Sequence, residues 1–217
     1  MHIQLPRLYA ILDLEALQRV LSRPAALEDV CHFAKELASG GVTLLQYRAK
    51  NLCAREALAQ ARELRRTLPR AVRLVINDRA DLCLASGFDG VHVGQDDLSP
   101  DSARKIVGPE RLVGVSTHNV EQLASALSTS ADYVAIGPVF GTSSKANPDP
   151  AVGLEGVRAA RELMQARKDG RPLVAIGGIT GDNAREVVQA GADCVAVISG
   201  LVNAPRSSAS AILAVLV

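Results

Sequence analysis

Two short apolar runs in this chain each end in acid. Leu74-Val75-Ile76 runs into Asn77-Asp78-Arg79, and Val91-His92-Val93 runs into Gly94-Gln95-Asp96-Asp97, with a short helical pattern between them. If both runs are parallel strands, their acids emerge on one face. Neighbouring strands lie roughly 4.8 Å apart, so carboxylates at equivalent strand ends can share one hard cation, which prefers oxygen ligands. The chemistry suggested is a magnesium site. Taken singly, each acid has a plainer reading: Asp78 or Asp81 would N-cap the helix opening there, and Asp96, Asp97 or Ser99 would start the next.

The elements that must position these acids repeat along the chain. Leu8 to Leu12 is a compact apolar run, and Leu27, Val30, Cys31, Ala34, Leu37 and Ala38 recur at helical spacing before Gly40-Gly41. Val42 to Tyr47 is a second strand, followed by a helix with the stripe Ala57, Leu58, Ala61, Leu64 and Leu68. Six further apolar runs follow: Leu74 to Ile76, Val91 to Val93, Leu112 to Val115, Tyr133 to Ile136, Leu173 to Ile176 and Cys194 to Ile198. Helical patterns separate them at Pro100 to Val107, Val120 to Leu127, Leu154 to Ala166 and Asn183 to Ala190. A refrain, Gly87-Phe88-Asp89-Gly90-Val91, Ser130-Ala131-Asp132-Tyr133-Val134 and Gly191-Ala192-Asp193-Cys194-Val195, leads helix into strand three times, and its glycines suit helix C-caps.

Continuous apolar strands suit a parallel sheet covered on both sides. Eight units in 217 residues predict a single domain over 1–217, a (β/α)8 TIM barrel near the lower size limit. A doubly wound open sheet would carry a Gly-rich turn after its first strand, where this chain has Asp13-Leu14-Glu15. The least regular stretch, Gly141 to Gly153, is a candidate mobile lid.

In such a barrel the active site lies at the C-terminal strand ends. Those ends supply Gln46, Arg48 and Lys50; Asn77, Asp78 and Arg79; Gln95, Asp96 and Asp97; Ser116 and His118; and Thr142, Ser144 and Lys145. Strands seven and eight end in Gly177-Gly178-Ile179-Thr180 and Ile198-Ser199-Gly200, a phosphate cradle built of backbone N–H groups. Each feature alone is ordinary: a solvated lysine, a capping histidine at His118, a glycine turn, a packed His92. Their coincidence on one face points to two anionic ligands, one on the cradle and a diphosphate on the acid-plus-lysine side.

Composition narrows the partners. A formal charge of +1 without like-charge blocks, no Trp and 3% aromatic residues disfavour nucleic acid and membrane surfaces. Cys31, Cys53, Cys83 and Cys194 lack CxxC spacing and read as buried thiols in a reducing compartment. The N-terminus lacks a signal-peptide pattern, and the apolar tail from Ala211 is far below the roughly 20 residues a spanning helix needs. The expectation is a soluble cytoplasmic protein, with assembly into identical copies left open.

The chain resembles the thiamine-phosphate synthases over nearly its whole length. The resemblance is carried by Gln46-Tyr47-Arg48-Ala49-Lys50, Asn77-Asp78-Arg79, Gly90 to Leu98, Gly114-Val115-Ser116-Thr117-His118, Gly137 to Lys145 and Ala175-Ile176-Gly177-Gly178-Ile179. It implies an enzyme that joins 4-amino-2-methyl-5-hydroxymethylpyrimidine diphosphate to a thiazole phosphate carboxylate, giving thiamine phosphate, diphosphate and CO2. By position, Asp78 and Asp97 would bind Mg2+, and Gln46, Arg48, Lys50, Asn77, Ser116 and Lys145 would hold the pyrimidine diphosphate. Thr142 and Ser144 would contact the thiazole phosphate, with Gly178, Ile198 and Ser199 cradling its phosphoryl group. Of these, Lys145, Ser116 and Arg48 are the expected catalytic residues. The chain departs from the family at Tyr47, usually Leu, at Gly141, commonly Pro, and at Ser144, commonly Thr; Gly141 gives the lid more freedom to lose on closure. The rival readings are a thiazole tautomerase of the related barrel family, needing neither metal nor diphosphate, and a non-catalytic barrel that binds a phosphorylated metabolite.

Overall fold

Each apolar run becomes a strand because it is covered twice, by helices outside and by the barrel's own interior inside. In the computed structural model, which describes residues 3–141 and 149–216, β1 (Leu8–Asp13) leads to α1 (Leu14–Leu21) and α2 (Leu27–Ser39). Next come β2 (Leu44–Arg48), α3 (Ala54–Thr67), β3 (Arg73–Asn77), α4 (Ala80–Ser86), β4 (Gly90–Val93) and α5 (Pro100–Val107). The order continues with β5 (Leu112–Thr117), α6 (Val120–Ala126), β6 (Tyr133–Ile136), α7 (Gly153–Ala166) and β7 (Leu173–Ile176). It ends with α8 (Ala184–Gln189), β8 (Cys194–Val197), α9 (Ser199–Val202) and α10 (Pro205–Val215). Every strand pairs in parallel with its sequence neighbour, and β8 returns to β1, so the expected (β/α)8 barrel is closed.

Strand alternation divides the core into two shells. Leu8, Ala10 and Leu12 of β1 belong to the outer cluster that packs on the helices, while Tyr9 and Ile11 belong to an inner cluster with Val75, Leu112, Tyr133 and Val174. Ile3 and Leu5 pack against the inner cluster from the N-terminal end and floor the barrel. Tyr47 points outward instead, fully buried, and its hydroxyl donates to Gln60 Oε1 at 2.6 Å on α3. The outer position explains how a phenol replaces an aliphatic side chain there without reaching the barrel interior.

The sequence refrain does more than cap helices. Asp89, Asp132 and Asp193 each accept a hydrogen bond from the first or second N–H of the preceding strand, at Leu74, Val113 and Leu173, over 2.7, 2.7 and 2.8 Å. Each carboxylate also meets an arginine from the helix before that strand: Arg65, Arg104 and Arg161 respectively. Three clamps of one design therefore tie helix to strand pair around the N-terminal rim.

Two expectations change. The spacing did not separate α1 from the loop after β1; it forms because Asp13 caps it, its Oδ1 accepting from Ala16 N at 2.8 Å. Cys31, Cys83 and Cys194 are buried as expected, but Cys53 is exposed, because it stands at the N-cap of α3 on the surface. Among the described residues no helix is long and apolar enough to cross a membrane.

Candidate active site

The two acids of the opening pattern do meet. Asp78 follows β3 with φ +64°, a left-handed conformation that aspartate tolerates better than most residues, and its N–H donates to His92 O at 2.8 Å. Burial pushes the Asp78 carboxyl above its ordinary range, and Asp97, within hydrogen-bonding reach, pushes it the same way. Lys50 Nζ, 3.1 Å from Asp78 Oδ2, pulls it back. Asp97 is held in turn by Gly94 N–H, which donates to its Oδ2 at 2.8 Å.

Capping does not account for either acid. The helix after β3 makes no side-chain cap bond, and Asp81 is instead paired with Arg79. The helix after β4 is capped by Ser99, which accepts from Ser102 N at 3.2 Å. Two carboxylates sharing a face is an arrangement that repulsion alone would part and that a divalent cation fits. Among the described residues there is no cluster of three or more metal-ligating side chains. Two protein carboxylates are nevertheless the usual complement for Mg2+ when substrate phosphates supply further oxygens.

Beside this pair a cleft opens into the barrel mouth, lined by Gln46, Arg48, Asn77, His92 and Ser116 among others. Arg48 is fixed by an ion pair with buried Asp13. Gln46 is buried and donates through Nε2 to Tyr9 OH at 2.8 Å. Ser116 Oγ lies 2.8 Å from His92 Nε2, and its carbonyl accepts from Gln95 Nε2 at 2.6 Å. His92 is thus packed and hydrogen-bonded in the barrel, as its place in a strand implied, and His118 is a loop histidine whose Nδ1 lies 2.6 Å from Gly137 O.

A second, smaller recess adjoins the first and shares Ile176, Ala196 and Ile198 with it. Gly177, Gly178 and Ser199 line it. Both glycines have positive φ, and a Cβ on Gly178 would lie 2.7 Å from Gly141 O and from Phe140 Cβ. The cradle is therefore glycine partly because the segment after β6 packs on it. Asn183 pins the same turn, donating to Gly178 O at 3.0 Å while its Oδ1 accepts from Thr180 N at 2.9 Å.

Gln46, Arg48, Lys50, Asn77, Asp78, Asp97, Ser116, Gly178, Ile198 and Ser199 thus all sit at the C-terminal strand ends. Thr142, Ser144 and Lys145, with most of the expected lid, lie outside the described residues. Asp13, Tyr9, Tyr133 and Asn183 did not emerge from motif spacing. Strand parity would have found three of them, since Tyr9 and Asp13 share the inward register of β1, and Tyr133 that of β6.

A family model described as thiamine monophosphate synthase matches residues 18–201. The chain belongs to the thiamine-phosphate synthase family. A thiamine-phosphate synthase of Koribacter versatilis is 57% identical over 214 residues, spanning 99% of this chain and 97% of that one. One from Chloroflexus aurantiacus is 41% identical over 211 residues, spanning 97% and 91%. Among solved structures, a thiamine phosphate pyrophosphorylase from Pyrococcus furiosus has a TM-score of 0.80 and 32% identity, covering 97% of this chain and 95% of its own. A 3-hexulose-6-phosphate synthase, with a TM-score of 0.68 and 19% identity over 98% of this chain and 100% of its own, shares the fold alone. Membership of the thiamine-phosphate synthase family makes this chain a transferase and agrees with the resemblance read from its motifs.

Proposed function

We propose that the chain couples a 4-amino-2-methyl-5-hydroxymethylpyrimidine diphosphate to a thiazole phosphate carboxylate, releasing diphosphate and CO2 and forming thiamine phosphate. The observation that carries this reading is the facing pair Asp78 and Asp97, flanked by Lys50, across the mouth from the glycine cradle. A barrel that bound one phosphorylated metabolite would have no use for two apposed acids at the opposite rim.

Asp78 and Asp97 are the residues that would hold Mg2+, which when bound supplies positive charge to the diphosphate oxygens. Lys50 and Arg48 add cationic donors on the same side, and Arg48 is oriented before substrate arrives because Asp13 fixes it. The aminopyrimidine pushes electrons toward its methylene carbon, so the C–O bond to diphosphate breaks with the pair leaving on oxygen. The thiazole nitrogen then bonds to that carbon through its lone pair. The ring carbon's bond to its carboxylate breaks next, releasing CO2 and leaving the pair on the ring carbon beside the now cationic nitrogen, where a proton from water replaces the carboxylate. No general base is needed for this displacement. The chain's contribution is to hold two substrates in line and to neutralise the departing charge. Gly178 and Ser199 would hold the thiazole phosphoryl group, since the first N–H groups of a helix such as α9 have no partner within it.

The deciding assay mixes protein, both substrates and Mg2+ and measures thiamine phosphate. Product that appears only when protein, both substrates and Mg2+ are all present supports the reading. Tautomer conversion of the thiazole carboxylate without coupling overturns it.

A further inference from the structure

We propose that Tyr9 and Tyr133 are positioning residues, the middle of a hydrogen-bonded chain Gln46–Tyr9–Tyr133–His92–Ser116 that holds His92 as its Nε2–H tautomer and turns the Ser116 hydroxyl proton toward the substrate cleft. The chain crosses the barrel interior through five strands, with separations of 2.8, 3.1, 3.0 and 2.8 Å from Gln46 to Ser116. That the cleft takes a pyrimidine diphosphate rests on the function proposed above; the proton order does not.

The order follows from the terminus. A carboxamide nitrogen only donates, so Tyr9 OH accepts from Gln46 Nε2. The buried Tyr9 proton then needs an acceptor, and Tyr133 OH is the remaining side-chain partner among the described residues, so Tyr9 donates to it. Tyr133, having accepted, donates to His92 Nδ1. A neutral imidazole that accepts at one nitrogen carries its proton on the other, so His92 Nε2–H donates to Ser116 Oγ. Burial raises both phenols well above their ordinary range, so neither breaks the sequence by ionising. Buried chains of this kind strengthen one another because each bond polarises the next.

Packing holds the rings to this line. His92 stacks on Tyr133 with centroids 5.5 Å apart, and Tyr9 meets both rings edge-on at 6.5 and 6.0 Å. Gly114 makes the space: a Cβ there would run into the ring carbons and hydroxyl of Tyr133. The glycine of the Gly114-to-His118 motif therefore serves the phenol behind Ser116.

Histidine-labelled 15N spectra of the substrate-free protein, assigned with His92→Gln, test the proposal directly. The expected result is a dominant Nε2–H signature at His92 that becomes a tautomer mixture in Tyr133→Phe. An Nδ1–H form in the wild type, or an unchanged spectrum in Tyr133→Phe, overturns it. In turnover, losing one hydrogen-bond partner corresponds to about a tenfold fall in kcat, with KM for the thiazole substrate unchanged. Ser116→Ala should cost far less in the Tyr133→Phe background than in the wild type, because the two act as a unit; additive losses overturn the proposal. Gly114→Ala, which keeps all five polar groups, should reproduce the mixed tautomer. If Tyr133→Phe does not fold, Tyr9→Phe carries the same readouts. The spectra need no substrate, so a protein that makes no thiamine phosphate yet shows the Nε2–H form overturns the function proposed above and leaves the relay standing.

Discussion

At the N-terminal end of the barrel Asp132 is met by the Arg104 guanidinium and by the Val113 N–H, whereas at the C-terminal end Asp78 faces a second carboxylate. The same residue type serves opposite ends. Around the floor, each of Asp89, Asp132 and Asp193 is matched by one arginine and one strand N–H. At the rim, burial and a like neighbour hold Asp78 above its ordinary range, with Lys50 the one compensating cation among the described residues. Satisfied charge fixes geometry, and unsatisfied charge reserves a place for a ligand of opposite sign.

Substitutions at the two ends should therefore separate activity from stability. Asp78→Asn, which keeps the left-handed backbone tolerable, should lower kcat by about 10^3-fold, in line with the loss of one transition-state stabilising group. Circular dichroism should find the fold intact, and near-wild-type turnover would remove Asp78 from the site. Asp132→Ala should do the reverse. It takes the carboxylate from a mostly buried guanidinium, which keeps its carbonyl partners, and leaves a strand N–H without an acceptor. The change should cost about 2 kcal/mol with a fall in Tm of about 5 °C, while kcat per folded molecule is kept; denaturant titration and active-site counting check both halves.

Asp13→Asn sharpens the contrast, because Asp13 is a paired acid of the floor type placed at the rim. Asparagine preserves the cap on α1 but releases Arg48, and KM for the diphosphate substrate should rise about tenfold, the cost of one charge-assisted hydrogen bond. An unchanged KM would show that Arg48 needs no support. The smallest effect is thermal. Removing one of two facing charges should raise the Tm of metal-free Asp78→Asn by about 2 °C. Added Mg2+ should then raise the wild type and leave the variant where it was, because a ligand that binds only the folded state stabilises it by mass action. Equal Mg2+ responses would place the cation elsewhere.

Much of this was legible before folding. Hydrophobic runs of strand length alternating with helical stripes required a parallel sheet covered on both faces, and closure of eight strands followed. The acids beyond Ile76 and Val93 were visible as strand-end residues because position after a strand is a local property. Asp13 was passed over because its meaning lies 35 residues away at Arg48. Cys53 was misjudged because a thiol at a helix cap reads like any other in a window of sequence.

Sequence alone therefore determined the eight strands, their order, most of the helices between them and most of the polar side chains at the strand ends, since hydrophobic periodicity and cap chemistry act within a few residues; α1, α9 and α10 (Leu14–Leu21, Ser199–Val202 and Pro205–Val215) were not separated from the loops around them. Only the closed barrel decided who faces whom: Asp78 against Asp97, Arg104 against Asp132 across 28 residues, and Tyr9 against Tyr133 across 124. Those pairings depend on strand register and on which face each side chain takes, and a shift of one residue would reverse every one.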